Sequence, residues 1–218
     1  METLAHPIVL VLIAITVLSS IQGFNNMRFF DRYKFSVGAI LGASKQWDRL
    51  ISSAFLHGDY MHLLFNMLTL YFFSDIIIDV FSTWQYLLIY FASVVGGGLL
   101  SLWINRNNYY YSAIGASGGV VGILFASIAI NPHIGIMFFF IPIPIPGWIF
   151  AIVYLGYSIY GMRTQMGNVG HDAHLGGAVV GLGLSILFAP VLLSLNGLYI
   201  GLMAIPLIVL AYLVINKK

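Results

Sequence analysis

The segment AIGASGGVVGILFASIAI, residues 113–130, determines how the rest of the chain is organised. It is an apolar helix candidate that opens with Gly115-Ala116-Ser117-Gly118, so one hydroxyl stands among small residues. A helix from Gly115 to Ile130 would be about 24 Å long, whereas the hydrocarbon core of a bilayer is about 30 Å thick. The segment is therefore too short to cross a bilayer alone. A serine at its start would lie below the membrane surface, in a recess that only a water-filled cavity makes tolerable.

The composition indicates an integral membrane protein with a single membrane-embedded domain. Of the 218 residues, 7% are charged and 60% are hydrophobic, whereas an ordinary soluble domain carries about 25% charged residues. The net charge of +2 and the absence of a basic run argue against nucleic acid as a partner. Because the chain has no cysteine, it has no disulfide and no thiolate nucleophile. The partner that the composition does indicate is the lipid bilayer.

Apolar segments predict an all-α bundle of spanning helices. The predicted spans are residues 7–22, 62–81, 85–104, 115–130, 148–162, 172–193 and 198–215. The long connection over residues 24–55 mixes cations with aromatic and aliphatic side chains, which favours a segment folded along the membrane interface over a disordered loop. Residues 137–147 contain alternating Ile-Pro, which predicts an extended segment.

A nucleophile and a general base are predicted at the starts of the fourth and sixth spans. Both spans carry glycines four residues apart, and such faces let two helices approach closely. Ser117 and His174 border these faces, and the two spans run in the same direction, so both residues lie at one depth. A serine and an imidazole within hydrogen-bonding distance form an activated nucleophile. The glycines predicted to pack are Gly118, Gly122, Gly177 and Gly181.

The second span runs parallel to the fourth and sixth, and its first turns carry two further polar side chains. His62 and Asn66 are four residues apart and share one helical face. Both can donate a hydrogen bond to a tetrahedral oxyanion, although hydrogen bonding between helices is the other interpretation. His57 is predicted to brace the preceding loop. Asp172 would cap the sixth helix or orient a histidine, but it faces away from His174 on a helix.

Three motifs in this order resemble those of the rhomboid intramembrane serine proteases. They are His62-x-x-x-Asn66 in the second span, Gly115-Ala116-Ser117-Gly118 in the fourth, and Ala173-His174 followed by Gly177 and Gly181 in the sixth. The resemblance covers about residues 1–193. It implies a rhomboid-like six-helix catalytic core over residues 1–193, with residues 194–218 forming a seventh transmembrane helix and a short basic tail.

The resemblance also implies an activity. Ser117 would attack a peptide carbonyl and His174 would act as general base, while His62, Asn66 and the Ser117 backbone N–H would stabilise the oxyanion. The expected substrates are transmembrane proteins with helix-destabilising residues, cut near the extracytoplasmic face. Access would be gated by the fifth span and the loop that follows it. No metal and no other cofactor is expected.

The chain departs from the rhomboid pattern at several positions. Four residues after the serine, where many bacterial members have an aromatic that stacks on the catalytic histidine, it has Val121. The Trp-Arg pair of the first loop is present only as Trp47-Asp48-Arg49, and the usual Phe-Gly after the second span is Phe73-Ser74. The resemblance therefore does not identify the residue that holds the His174 ring in place.

The distribution of charge conflicts with the resemblance on membrane orientation. All nine Lys and Arg residues fall on the side shared by the long connection, the loops after the third and fifth spans, and the C-terminus. The positive-inside rule predicts that this side is cytoplasmic, whereas the resemblance makes it extracytoplasmic. We follow the resemblance, because a folded interfacial connection is less governed by the rule. We therefore expect a multi-pass plasma-membrane protein whose active site faces the extracytoplasmic side.

Two other classes of function fit some of the same residues. A membrane-embedded zinc hydrolase would take its ligands from the imidazoles and carboxylates near the two histidine-bearing helix starts, namely His57, Asp59, His62, His171, Asp172 and His174. A small-solute transporter would explain short, glycine-broken helices that meet at a polar centre. Loss of activity to a chelator but not to Ser117→Ala would favour the first. Solute flux without peptide cleavage would favour the second.

Overall fold

The computed structural model describes residues 6–138, 141–164, 166–167 and 169–215. Within that part of the chain the elements are, in order, α1 (Pro7–Asn25), α2 (Met27–Tyr33), β1 (Phe35–Ser36), α3 (Val37–Leu41), α4 (Arg49–Ser52), a 3₁₀ turn (Ser53–Phe55), α5 (Tyr60–Ile78), α6 (Thr83–Ile104), β2 (Ser112–Ala113), α7 (Ser117–Ile130), β3 (Gly135–Phe138), β4 (Ile141–Pro146), α8 (Gly147–Thr164), α9 (His171–Phe188) and α10 (Val191–Ile215).

The prediction of an all-α membrane protein is confirmed. Five of the described helices are long and apolar enough to cross a bilayer: α1, α5, α6, α9 and α10. The α7 helix is shorter, as its sequence predicts. The α8 helix occupies the predicted fifth position but is not among the five, so the described helices do not by themselves establish the predicted count of seven.

The α7 helix forms the centre of the bundle. It is apolar on every side, and a helix of that kind is stable only when it is surrounded. Every residue from Gly118 to Ala129 is buried, and the helix packs against α5, α6 and α9. The helix begins at Ser117, two residues later than predicted, because Gly115 has a φ of +119°. A backbone in that conformation is outside the helix and is accessible mainly to glycine.

The α7 and α9 helices touch backbone to backbone through their glycines. A Cβ added at Gly177 would overlap the carbonyl of Gly118, and a Cβ added at Gly181 would overlap the carbonyl of Gly122. Gly122 also packs against Ser93 of α6. This contact fixes the register of α7 on α9, and with it the relative height of their first turns.

The long connection between α1 and α5 is folded rather than disordered. Its apolar side chains form a small core of their own: Phe35, Val37, Ile40, Leu50 and, from α6, Leu102. The buried Arg49 guanidinium donates to the backbone carbonyls of Asp31 and Lys34, at 2.9 and 2.6 Å. Strand β1 pairs antiparallel with β2, in the register Phe35 with Ala113. The connection is thereby attached to the segment that leads into Ser117.

Proline determines the backbone conformation of two segments, the Ile-Pro run and the end of α9. The Ile-Pro run forms β4, as predicted from its alternation, and pairs antiparallel with β3. The sixth helix was predicted to continue to residue 193, which is wrong. The α9 helix ends at Phe188, since Pro190 lacks a backbone N–H and disfavours helical geometry at the residue before it. The last helix begins at Val191 and is interrupted at Asn196.

The interruption at Asn196 has a partner on the central helix. The Asn196 side chain donates to the carbonyls of Ala129 and Ile130, each at 3.0 Å. The last carbonyls of a helix have no N–H donor within the helix itself. The α10 helix therefore supplies the cap that closes the C-terminal end of α7.

Candidate active site

Ser117 and His174 lie in contact at one end of the bundle. Ser117 is the first residue of α7, and His174 is in the first turn of α9. The distance from Ser117 Oγ to His174 Nε2 is 2.7 Å. This is a hydrogen bond of the length expected between a nucleophile and its general base.

The other nitrogen of His174 is engaged by a tyrosine from α8. The Tyr154 hydroxyl lies 2.9 Å from His174 Nδ1. The two rings are also nearly parallel, with 23° between their planes and 6.1 Å between their centroids. Both polar atoms of the His174 ring therefore have a partner, and one of its faces is covered.

His62 borders the same space as the Ser117 hydroxyl. A Cβ built at Gly115 would lie 2.9 Å from His62 Nε2 and 3.7 Å from Ser117 Oγ. Only a glycine at 115 leaves this space open between the imidazole and the hydroxyl. The side chain of Asp59 accepts from the His62 backbone N–H at 2.8 Å, which caps the first turn of α5.

Asn66 lies one turn after His62 and is buried, with 7% of its surface exposed. Its side-chain amide donates to the His62 carbonyl at 2.9 Å. An amide group has two N–H donors, so this hydrogen bond leaves one N–H of Asn66 available. The described contacts connect Asn66 to His62 and place no atom of it against Ser117.

His57 braces the backbone immediately before Ser117, as predicted for a structural residue. The ring is fully buried. Its Nε2 accepts from the Ala116 backbone N–H at 3.3 Å, and its Nδ1 lies 2.9 Å from Ser20 Oγ. Ser20 donates its own proton to the Phe55 carbonyl at 3.0 Å, so it must accept from Nδ1. The neutral Nδ1–H tautomer is therefore the one that satisfies all three contacts.

Burial lowers the pKa of His57 to about 3, and the neighbouring His62 contributes in the same direction. The two imidazoles pack edge to face, with 4.9 Å between their centroids. Charging His57 would place a proton on Nε2, where the Ala116 N–H already points. Neutral His57 is therefore part of the folded state at ordinary pH.

Asp172 has a role that the sequence did not reveal. Its carboxylate accepts from the Ser101 hydroxyl at 3.0 Å, from the Asn105 amide at 2.6 Å and from the Tyr111 hydroxyl at 3.3 Å. It also accepts from the Ala173 backbone N–H at 2.9 Å, within the first turn of α9. Asp172 thus ties the start of α9 to the loop between α6 and α7. Burial raises the pKa of Tyr111 to about 12, and the Asp172 carboxylate adds to the shift.

A cavity of about 40 Å³ borders Ser117 and opens between the long connection, α6 and the start of α9. Its walls are mainly small or apolar and include Ala54, Val94, Gly98 and Ala173. One water needs roughly 10–15 Å³ of such space. The cavity is therefore large enough for two or three waters, or for one small side chain, next to the hydroxyl.

Two of the six residues considered as zinc ligands have other partners. Within the part of the chain that the structure describes, no group of three His, Cys, Asp or Glu side chains is placed to hold a metal ion. The Asp172 oxygens accept from hydroxyl and amide groups, and His57 Nε2 accepts from a backbone N–H.

Comparison with known proteins identifies the family. The model of the Rhomboid domain matches residues 44–191, which contain all of the polar residues at the α5, α7 and α9 helix starts. The chain belongs to the rhomboid family. The resemblance seen in its three motifs is confirmed.

Several known proteins are similar in sequence to this rhomboid. Rhomboid protein 1, mitochondrial, of Saccharomyces cerevisiae is 30% identical over 61% of this chain and 39% of its own length. RHOMBOID-like protein 12, mitochondrial, of Arabidopsis thaliana is 32% identical over 60% of this chain and 43% of its own length. Rhomboid protease AarA of Providencia stuartii is 28% identical over 68% of this chain and 58% of its own length. The chain thus spans about half the length of these relatives.

Sequence reasoning missed two partners of the histidines. Tyr154 lies on α8. The sequence indicated only that His174 lacks an aromatic partner at position 121, which is valine, and it did not indicate which residue takes that place. Ser20 lies on α1, 37 residues before His57, and nothing in its local sequence marks it.

Proposed function

We propose that this rhomboid is an intramembrane serine endopeptidase, with Ser117 as nucleophile and His174 as general base. The observation that carries the proposal is the 2.7 Å hydrogen bond between Ser117 Oγ and His174 Nε2, in a chain that belongs to the rhomboid family. One of the similar proteins is named a rhomboid protease.

The mechanism begins with proton transfer from Ser117 to His174. The hydroxyl attacks the peptide carbonyl while Nε2 takes its proton, and a tetrahedral intermediate with an oxyanion forms. His174 then gives the proton to the leaving amine, and the peptide bond breaks. A water from the adjacent cavity attacks the acyl-enzyme, again with His174 as base, and this step releases the acid product.

We propose that the oxyanion is stabilised by His62, Asn66 and the Ser117 backbone N–H. The His62 ring faces the space next to the Ser117 hydroxyl, and Asn66 retains one amide N–H. The first backbone N–H groups of a helix have no acceptor inside the helix, and the positive end of its dipole favours developing negative charge. Ser117 opens α7 and therefore sits at such an end.

The proposed substrates are transmembrane proteins with helix-destabilising residues near the cut. A peptide bond in a regular helix has its carbonyl hydrogen-bonded within the helix, and a nucleophile cannot reach it. Ser117 lies at the end of a helix that is too short to span the bilayer, so its hydroxyl lies below the membrane surface. The substrate helix must unwind at that depth. Residues that disfavour helix reduce the free energy needed for this unwinding.

We also propose that residues 1–193 form the catalytic core, with residues 194–218 as an added helix and basic tail. The family match ends at residue 191, close to that boundary. The contact from Asn196 to the end of α7 makes the added helix a brace of the core rather than an independent unit.

The protein is an integral, multi-pass membrane protein, and we propose the plasma membrane with Ser117 toward the extracytoplasmic side. The cysteine-free chain permits a direct test. Asn107→Cys introduces a thiol in an exposed loop on the Ser117 side, and Val80→Cys introduces one on the opposite side. An impermeant maleimide applied to intact cells should label Cys at 107 and spare Cys at 80. The reverse pattern would overturn the orientation.

The activity is tested by labelling with a fluorophosphonate probe and by cleavage of a transmembrane substrate in liposomes. Wild type should be labelled and should cleave, and both signals should be lost in Ser117→Ala and in His174→Ala. Ser112→Ala removes an exposed hydroxyl five residues away and is the matched control, which should behave as wild type. Cleavage that survives Ser117→Ala would end the serine-protease proposal. Sensitivity of that cleavage to a chelator would favour the zinc hydrolase instead.

A further inference from the structure

We infer that Tyr154 on α8 is the positioning residue of the dyad, so that His174 is aligned as a base only while α8 lies against α9. The inference rests on the proposed protease function and adds a third participant to it. Tyr154 does not touch the reacting atoms. It acts through the ring of His174.

The position of one proton decides whether His174 can act as a base. To accept the Ser117 proton, Nε2 of His174 must carry no hydrogen, so the single hydrogen of the neutral ring must be on Nδ1. A hydrogen on Nδ1 needs an acceptor, and the atom 2.9 Å away is the Tyr154 oxygen. The phenol thereby selects the tautomer that leaves Nε2 free for the Ser117 hydroxyl at 2.7 Å.

Ser158 lies one turn further along α8 and is fully buried, and its hydroxyl makes no hydrogen bond within the described residues. The Tyr154 phenol can meet Nδ1–H through an oxygen lone pair, and its own proton is not needed for that contact. Its neutrality also matters: unlike a carboxylate, it orients the imidazole without a full charge to stabilise the imidazolium.

Aromatic packing holds the Tyr154 ring in this orientation. Phe150, one turn earlier on α8, stacks on it with 5.5 Å between centroids and 25° between planes. Phe125 of α7 contacts it at 6.2 Å. The rings of Phe150, Tyr154 and His174 therefore form one column, and the last ring in that column is the proposed base.

The aromatic ring that stacks on His174 comes from α8 and not from the central helix α7. Val121 on α7 is aliphatic and supplies no aromatic ring to His174. The ring is supplied by α8, which lies at the edge of the bundle with Val153 and Tyr160 exposed on its outer face. Where α7 meets α9 through backbone contacts at glycines, α8 meets the start of α9 through side chains.

One glycine sets how closely α8 approaches α9. A Cβ added at Gly161 would overlap the ring of His171, which lies three residues before His174. Gly161→Ala should therefore push this end of α8 outward without altering Tyr154 itself. Gly156 is on the same helix, and a Cβ added there meets nothing within 4 Å. Gly156→Ala is the matched control for helix propensity.

The first test is Tyr154→Phe, which keeps the ring and removes the hydroxyl. We expect kcat to fall about 10- to 100-fold with KM unchanged, because misplacement of a catalytic group affects the chemical step. Tyr160→Phe removes an exposed hydroxyl from the same helix and should match wild type. Equal kcat for Tyr154→Phe and wild type would overturn the inference. Failure of wild type itself to label or cleave would instead overturn the proposed function.

The second measurement reads the His174 tautomer without using activity. Nitrogen-15 histidine NMR in detergent micelles, assigned by comparison with His174→Ala, should show wild-type His174 protonated on Nδ1. The Tyr154→Phe protein should show a mixture of the two tautomers. A purely structural role for Tyr154 would lower the unfolding temperature and leave this signature unchanged, and that result would overturn the inference.

A double-mutant cycle tests the coupling to α8. Gly161→Ala should lower kcat by a similar factor to Tyr154→Phe, and the two together should cost little more than either alone, because both break one contact. The Gly156→Ala control should combine additively with Tyr154→Phe. Additive losses from Gly161→Ala and Tyr154→Phe would mean that the position of α8 and the alignment of His174 are independent, which contradicts the coupling.

Discussion

His57 and His174 make the same pattern of contacts around their rings. Each is held at Nδ1 by a hydroxyl, from Ser20 in one case and Tyr154 in the other. Each accepts a hydrogen bond at Nε2, and the two donors are consecutive in the chain: the Ala116 backbone N–H and the Ser117 hydroxyl.

The difference between the two histidines lies in the donor that faces Nε2. An amide N–H does not give up its proton at ordinary pH, so the bond from Ala116 to His57 is a permanent brace. A hydroxyl can give up its proton when its oxygen forms a bond to a carbonyl carbon, so in the proposed mechanism the bond from Ser117 to His174 is the route for proton transfer. Burial and tautomer alone do not distinguish a structural histidine from a catalytic one.

The largest expected effect is on the cleavage rate, which should depend far more on His174 than on His57. His174→Ala should reduce the rate of substrate cleavage by about 10⁴-fold or more, since loss of one member of a nucleophile–base unit removes most of the benefit of the other. Its unfolding temperature should stay close to that of wild type. Rates are measured on a transmembrane substrate in liposomes, and unfolding by circular dichroism in detergent. A rate within tenfold of wild type would remove His174 from the role of base.

A third histidine extends the comparison, because His62 supplies its ring to the same space while its backbone carbonyl holds Asn66. Asn66→Ala should lower kcat about 10- to 100-fold, far less than Ser117→Ala, since other oxyanion donors remain. Steady-state kinetics in liposomes would separate kcat from KM. Equal losses from Asn66→Ala and Ser117→Ala would show that the oxyanion depends on Asn66 alone.

The sequence predicted the contact between Ser117 and His174 from two features: the helical spacing of glycines and the shared direction of alternate spans. Ser117 and His174 were predicted together because glycines four apart fix which faces of two helices meet, and alternate spans run in one direction. His57 was recognised only as a brace, since its contact with Ala116 joins residues 59 apart through the turn before α5. No helical period describes such a turn.

The contacts of Tyr154 and Asp172 were not predicted, because each depends on how distant parts of the chain pack together. Tyr154 lies on α8, where apolar side chains occur on every side, so the sequence does not determine which face turns toward α9. Asp172 was correctly expected to face away from His174. Its partners Asn105 and Tyr111 come from a loop more than 60 residues earlier, and the fold of that loop depends on its pairing with β1.

Removing the His57 ring should lower the stability of the protein more than it lowers the rate of substrate cleavage. His57→Ala leaves the buried Ala116 N–H without its acceptor and Ser20 without its donor, and each buried unsatisfied group costs about 1–3 kcal/mol. We expect a lower unfolding temperature and about a tenfold lower rate per folded molecule. Ser20→Ala removes only the Nδ1 partner and should show a smaller version of both effects. An unchanged unfolding temperature in His57→Ala would contradict the bracing role.

The smallest expected effect is a pH dependence that belongs to His57 and not to the dyad. The pKa of His57 is about 3 in the folded protein and about 6.5 for an ordinary histidine. The unfolded chain therefore binds a proton first as the pH falls, so the stability is present above about pH 6.5 and is lost progressively toward pH 3. The limiting slope for one proton is about 1.4 kcal/mol per pH unit. Denaturant unfolding of wild type and His57→Ala between pH 7 and pH 4 should show the steeper decline in wild type, because only wild type has this imidazole to charge. Parallel declines would mean that the acid sensitivity arises from groups other than the ring that holds Ala116.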